Sequence, residues 1–158
     1  MNKFVIVANS DKDINLKLSQ DIVAYIEDKG AQAVVVSDME KDYENATIRA
    51  EFLEDAEAVI VLGGDGTMLR AARAAFGGSV LFIGINRGHM GYLTEISELT
   101  DYDSFTDRLV NDNFKIQERM MLSARAERNG KLIYKDFALN DVLMCKNDTV
   151  RMMEYEVY

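Results

Sequence analysis

The chain has 158 residues, enough for one domain or for one domain and part of a second. Its formal net charge of −9 argues against a nucleic-acid groove or an anionic membrane surface as partner, because both need a basic footprint. The negative charge does not exclude small phosphate ligands, since backbone N–H groups can bind them in an acidic protein. Cys145 is the only cysteine, so no disulfide forms within the chain and we expect a reducing, cytoplasmic setting.

Short apolar runs alternate with helical patterns over the first hundred residues. The predicted elements are, in chain order, a strand over Phe4–Ala8, a helix from Ile14 to Ile26, a strand over Val34–Val36, a weak helix over 45–55, a strand over Ala58–Leu62, a helix over Met68–Phe76, a strand over Val80–Gly84 and a helix over Asp101–Asn111. This alternation indicates βαβ crossovers and a parallel sheet. We therefore predict that residues 1–112 form an open α/β, Rossmann-like nucleotide-binding domain.

The pattern changes after about Phe114. Apolar and polar residues alternate from Leu122, and Asn129-Gly130 is a strong hairpin signal. Further strands are predicted over Leu132–Tyr134, Leu139–Met144 and Arg151–Tyr158. We expect residues 113–158 to begin a β-rich domain that is truncated, because the chain ends inside a predicted strand.

A glycine-rich turn, Gly63-Gly64-Asp65-Gly66-Thr67, joins a predicted buried strand to a helix. Open α/β sheets bind ligands at such strand ends, and glycines let a polyphosphate approach the backbone. The aspartate would repel phosphate unless it holds Mg²⁺ or accepts a proton from an attacking hydroxyl, and both roles belong to phosphoryl transfer. Alternatively, Asp65 only shapes the turn or caps the helix, and the pentapeptide alone favours neither interpretation. It is neither a P-loop nor the six-residue dinucleotide fingerprint.

A second glycine-rich turn, Gly84–Glu95, follows the next strand and leaves the same edge of the sheet. The two turns could form opposite walls of one cleft, in which Tyr92 stacks on a ring and Asn86 hydrogen-bonds to it. The alternative is that Tyr92 and Leu93 pack beneath the loop. We leave the single histidine, His89, out of the site.

Asn140 and Asp141 interrupt the apolar run Phe137–Met144. A buried amide and carboxylate need partners, which a ligand's hydroxyl or amide groups could supply. The alternative is a bend or bulge at which the pair faces water.

Together these motifs resemble those of the NAD kinases: the Gly63–Thr67 turn, then Gly84-Ile85-Asn86 with Gly91-Tyr92-Leu93-Thr94-Glu95, then Asn140-Asp141. The resemblance covers nearly the whole chain, in the same order. It implies an α/β domain followed by a β-rich domain. It also implies transfer of the γ-phosphoryl group of ATP, or of polyphosphate, to the 2′-hydroxyl of the adenosine ribose of NAD, with Mg²⁺ as the divalent cation.

The resemblance also assigns roles to individual residues. Asp65 would accept the proton of that hydroxyl or act as a metal-linked carboxylate, Gly66 would lie beside NAD, and Arg70 would lie near the nucleotide. The remaining NAD or nucleotide contacts would come from Asn140, Asp141 and Arg151. A surface charge is the alternative for both arginines, and no residue is assigned as a metal ligand.

Several alternatives stay open. A lipid kinase of the diacylglycerol or sphingoid-base type shares the glycine turn, but this chain has no proline and has the Gly91–Glu95 loop instead. A phosphofructokinase is less well supported, because its sugar-phosphate arginines are not found in a recognisable context. A non-catalytic nucleotide-binding domain is not excluded. The family's later threonine- and serine-rich segment is absent, so we expect residues 1–158 alone to be weakly active or inactive. We also expect a homo-oligomer in the full-length protein.

Overall fold

The computed structural model describes residues 1–37, 55–75, 78–87, 91–94, 96, 100–145, 154 and 156. The chain forms two compact units, Met1–Met120 and Met121–Tyr158, and each is described by itself. In the described ranges, no helix has both the length and the apolar character that crossing a membrane requires.

A four-stranded parallel sheet forms the centre of the first unit. Its strands are β1 (Lys3–Ala8), β2 (Gln32–Ser37), β3 (Ala58–Gly63) and β4 (Leu81–Asn86), in the order β2-β1-β3-β4. All six residues of β3 are buried, as are the last five of β1. Strands covered on both faces need such continuous apolar runs, so the predicted α/β fold with a parallel sheet is confirmed.

In the described part of this unit, three helices accompany the sheet: α1 (Lys17–Asp28), α2 (Asp65–Ala74) and α3 (Tyr102–Val110). Alternate residues of the strands point to opposite faces and form two apolar clusters. One cluster joins Ile6 and Ile60 to Ile22 of α1 and Leu109 of α3. The other joins strand valines, such as Val61, to α2. The helices therefore cover both faces and leave the strand ends free to carry loops.

The first helix starts later than predicted. Residues Ile14–Leu16 form a 3₁₀ turn instead, and Asn15 and Leu16 have φ angles of 56° and 55°. The buried carboxylate of Asp13 accepts hydrogen bonds from the N–H groups of Leu18 (2.9 Å) and Ser19 (3.0 Å). This cap fixes the start of α1 at Lys17, so Ile14 leaves the apolar face and is 74% exposed.

The second unit contains an antiparallel hairpin of β5 (Leu122–Arg128) and β6 (Lys131–Ala138). Asn129 and Gly130 both have positive φ angles, 53° and 73°, as a tight two-residue hairpin turn requires. This hairpin was predicted and is confirmed.

The strand predicted over Leu139–Met144 is wrong. β6 ends at Ala138, and the chain bends at residues 139–140 before continuing without regular structure to residue 145. In the described part of this unit β5 is the only strand paired with β6, and an apolar run without a neighbour has no ladder to join. The predicted weak helix over 45–55 and strand over Arg151–Tyr158 lie almost wholly outside the described residues.

Candidate active site

Loops that follow three strands of the parallel sheet meet at one edge. The N–H of Asn9, just after β1, donates to the carbonyl of Leu62 in β3 (2.9 Å). The N–H of Arg87, just after β4, donates to the carbonyl of Gly63 (3.0 Å). Since the carboxyl ends of parallel strands face the same way, this edge is where an open α/β sheet binds its ligands.

The glycine turn after β3 leads directly into α2. Gly63 ends the strand, Gly64 is the N-cap, and Asp65 is the first helical residue, three positions before the predicted start. Gly64 offers no side-chain cap, so the first N–H groups of α2 are available to an anion. A Cβ on Gly63 would lie 2.6 Å from Thr67 Oγ1, so the close strand-to-helix turn requires glycine there.

The Asp65 carboxylate binds the second glycine-rich turn instead of capping its own helix. Its Oδ2 accepts a hydrogen bond from the N–H of Tyr92 (2.8 Å). Its Oδ1 accepts from the N–H groups of Leu93 (3.1 Å) and Thr94 (3.3 Å), and from Thr94 Oγ1 (3.3 Å). We call this arrangement of Asp65 with residues 92–94 the Asp65 clasp. The two glycine-rich turns are therefore joined by direct contact.

These contacts set the charge of Asp65. Burial raises the pKa of the Asp65 carboxyl, but the hydrogen bonds from Tyr92, Leu93 and Thr94 together outweigh it and hold that pKa below its ordinary value. The carboxylate is thus ionised at neutral pH. Because a carboxylate offers about four acceptor positions, Oδ2, with one hydrogen bond, has more room for a further donor than Oδ1, with three.

Two glycines allow the second turn to pack so closely. A Cβ on Gly91 would overlap the Asp65 carboxylate. A Cβ on Gly84 would lie 2.8 Å from Met68 Cε and 2.9 Å from Thr94 Cα. Beyond the clasp, the carbonyl of Ile96 accepts a hydrogen bond from Asn86 at the end of β4 (2.7 Å), which ties the turn to the sheet.

The side chains of this turn differ in exposure. Tyr92 is 91% exposed, so the alternative that it packs beneath the loop is wrong, whereas Leu93 packs against the apolar cluster under α2. Asn86 is buried. His89 lies outside the described residues. An exposed ring therefore stands next to the clasp.

Two cationic side chains lie near the glycine turn. Arg70 Nη2 lies 3.4 Å from Thr67 Oγ1, and Arg70 Nη1 would lie 3.9 Å from a Cβ on Gly66. Lys12 Nζ, from the loop after β1, would lie 3.3 Å from a Cβ on Gly64. Arg70 was predicted from the sequence, but Lys12 was not. The sequence shows only that Lys12 follows a predicted strand, and its nearness to Gly64 depends on the pairing of β1 with β3.

The remaining predicted residues, Asn140, Asp141 and Arg151, belong to the second unit. Asn140 and Asp141 are both exposed just beyond β6, so the expected burial of this pair is wrong. Both residues face water where the chain bends after β6. Arg151 lies outside the described residues. Roles for these three residues stay predictions.

The parallel sheet and the glycine turns at its carboxyl edge define the first unit as a nucleotide-binding α/β domain. A family model described as "ATP-NAD kinase N-terminal domain" matches residues 4–114. The chain belongs to the NAD kinase family.

Similar proteins from several bacteria carry the name NAD kinase. Over the whole length of this chain, it is 34% identical to one from Ruminiclostridium cellulolyticum and 38% identical to one from Clostridium botulinum. Over 87% of this chain, it is 36% identical to one from Nitrosomonas europaea. The matches span 56%, 54% and 47% of these relatives, so the chain corresponds to about half of each.

Proposed function

We propose that the protein containing this chain is an NAD kinase that transfers the γ-phosphoryl group of ATP, or of polyphosphate, to the 2′-hydroxyl of the adenosine ribose of NAD. The observation that carries the proposal is the Asp65 clasp. An ionised carboxylate is held at the N-terminus of a helix, beside a backbone turn open to phosphate. The family membership of residues 4–114 supports the same reaction.

The proton of the attacking hydroxyl would go to Asp65. The ribose oxygen forms a bond to the γ-phosphorus, the bond to the β-phosphate oxygen breaks with its electron pair, and Oδ2 of Asp65 accepts the hydroxyl proton. The lowered pKa makes Asp65 a weak base. Phosphoryl transfer through a loose transition state depends mainly on positioning the reacting groups and stabilising their charge. A weak base that is held firmly in place is therefore sufficient.

The glycine turn and its neighbours would hold the substrates. The phosphates of the donor lie against the backbone at Gly64 and the first N–H groups of α2, with Arg70 nearby. Gly66 is exposed and lies beside NAD, where a side chain would intrude. The exposed ring of Tyr92 stacks on a nucleotide base. Asn140, Asp141 and Arg151 complete the nucleotide contacts.

The residues fit a Mg²⁺ ion that arrives with the donor phosphates. In the described ranges, no group of three or more His, Cys, Asp or Glu side chains is placed to hold a metal. Mg²⁺ commonly keeps several waters and binds substrate phosphates, so the donor can carry the ion while Oδ2 of Asp65 keeps an acceptor position for the hydroxyl proton. When bound, the ion neutralises charge on the transferred phosphoryl group.

The relatives are about twice as long as this chain. We therefore propose that residues beyond those described here complete the NAD site, and that residues 1–158 alone form NADP slowly or not at all. We also propose a homo-oligomer in the full-length protein and, from the single cysteine, a cytoplasmic location.

The test is a phosphorylation assay on the full-length natural protein. It offers NAD and a diacylglycerol as acceptors, each with ATP or polyphosphate and Mg²⁺. We expect NADP from NAD and no phosphorylated lipid. A phosphorylated lipid without NADP would establish the lipid-kinase alternative. Binding of NAD and ATP without any turnover would favour a non-catalytic nucleotide-binding protein.

A further inference from the structure

Lys12 projects from a short loop whose position is fixed by the sheet. The Asn9 carbonyl accepts hydrogen bonds from the N–H groups of Lys12 (3.0 Å) and Asp13 (2.8 Å), and the Asn9 N–H is bonded to β3. On the far side, Asp13 is tied to the first turn of α1. The backbone that carries Lys12 is thus held on both sides, and its ammonium reaches the Gly64 turn.

Positive charge at this turn stands out against the rest of the chain. The sequence has 18 Lys and Arg residues against 27 Asp and Glu residues, yet two cations from different elements approach this turn, Lys12 at Gly64 and Arg70 at Gly66. The neighbouring carboxylate of Asp13 is buried and engaged by Leu18 and Ser19. The ammonium lies where the uncapped helix N-terminus already favours an anion.

We propose that Lys12 binds the phosphates of the phosphoryl donor and holds them against Gly64. This inference rests on the proposed function, which supplies the polyphosphate. The donor is favoured over NAD because its phosphate chain carries more negative charge than the pyrophosphate bridge of NAD. The donor must also place its terminal phosphate beside Asp65, which directly follows Gly64.

The variants are Lys12→Ala, Lys12→Met and Lys12→Arg in the full-length protein. Lys12→Met keeps most of the apolar stem and removes the charge, so it decides the question if Lys12→Ala unfolds. Lys12→Arg keeps the charge. The matched control is Lys3→Ala, which removes the same charge at the first residue of β1, whereas Lys12 lies in the loop beyond the other end of this strand, which is about 16 Å long. Within the described residues, the Lys3 side chain forms an exposed ion pair with Asp55.

The measurements are KM for ATP, KM for NAD, and inhibition by inorganic tripolyphosphate, which has no adenosine. Removing the charge should raise KM for ATP about tenfold and weaken tripolyphosphate inhibition equally, with KM for NAD changed less than about twofold. Lys12→Arg should recover most of the loss, and Lys3→Ala should match the wild type.

Two results would overturn the inference and leave the proposed function standing: Lys12 variants that match Lys3→Ala, or a rise in KM for NAD as large as that for ATP. If the wild-type protein makes no NADP from any donor, the proposed function fails instead. Calorimetric titration of the same variants with tripolyphosphate then still decides whether Lys12 binds phosphate.

Discussion

At residue 65, one carboxylate accepts four hydrogen bonds from a segment 27 to 29 residues further along the chain. Such a carboxylate has two separable roles. It holds the second turn in place, and it offers a charged oxygen to a substrate hydroxyl.

Asp65→Asn and Thr94→Val separate these roles. The asparagine removes the base, so kcat of the full-length protein should fall about 100-fold or more while NAD binding persists. Thr94→Val removes only the hydroxyl that donates to Oδ1, so it should cost less than about tenfold, the size of one hydrogen bond. Steady-state kinetics and NAD titration measure both. Equal losses in the two variants would reduce Asp65 to a structural role.

The lowered pKa of Asp65 also predicts how stability depends on pH. A group whose pKa is depressed in the folded state stabilises that state above its unfolded pKa, and loses this contribution as pH falls through the folded value. For an aspartate the window lies below about pH 4. Urea unfolding of the wild type and Asp65→Asn should therefore show a difference at pH 7 that shrinks below pH 4. A difference independent of pH would contradict this assignment.

Two glycines near the clasp should respond differently to alanine. Gly91→Ala places a methyl group on the Asp65 carboxylate, so we expect kcat to fall about 100-fold through misplacement of that group. In Gly66→Ala the new methyl meets Arg70 only at ordinary contact distance. Stability should then be unchanged or rise by at most about 1 kcal/mol, whereas KM for NAD should rise. Kinetics and urea unfolding of both variants provide the check, and a Gly91→Ala enzyme of normal activity would contradict the clasp geometry.

The sequence alone indicated Asp65 and the two glycine-rich turns, because glycines and a carboxylate at strand ends have a local signature. It did not indicate that Asp65 would bind Tyr92, Leu93 and Thr94, since that contact depends on how β4 lies beside β3. Lys12 was missed for a similar reason, because its nearness to Gly64 follows from the pairing of β1 with β3.

At the scale of single elements, the cap of α1 can be tested directly. Asp13→Ala removes the acceptor for two helix N–H groups, so the free energy of unfolding should fall by about 1–2 kcal/mol. The matched control is Asp11→Ala, which removes the same charge from an exposed position two residues earlier and should change stability by less than about 0.5 kcal/mol. Urea unfolding measures both, and equal effects would mean that charge, rather than capping, matters.

Helix starts were the least predictable boundaries. The apolar spacing suggested that the first helix begins at Ile14, but the buried Asp13 caps it at Lys17. The second helix begins at Asp65 rather than Met68, because Gly64 can act as the N-cap. Periodicity locates the buried face of a helix, while its first residue depends on a cap that periodicity does not show.

At the scale of the whole molecule, the two units differ in what they bury. The first encloses its strands between helices, whereas in the hairpin Leu132, Ile133 and Tyr134 are about half exposed. A two-stranded hairpin alone is marginally stable in water. Residues 1–120 should therefore fold without residues 121–158 and unfold cooperatively by circular dichroism, and a peptide of residues 121–145 should be unstructured. An unfolded 1–120 fragment would contradict this division.

The parallel sheet was predictable from its alternating elements, and the hairpin from Asn129-Gly130. The run Leu139–Met144 was not, because its composition suits a strand but a strand also needs a neighbour. Amino-acid composition indicates whether a segment suits a strand, but whether the strand forms depends on a neighbouring strand from another part of the chain.

The strand order has a consequence for how the chain is made. β1 is synthesised before the other three strands of this sheet, yet it lies between two of them. Its neighbour β3 pairs with it from Ala58, which lies 54 residues after its partner Phe4. Until a ribosome has released β3, one flank of the apolar segment Phe4–Ala8 is unpaired. Long-range parallel pairing is slow to form, so we expect a chaperone to bind this segment in nascent chains from which β3 has not yet emerged.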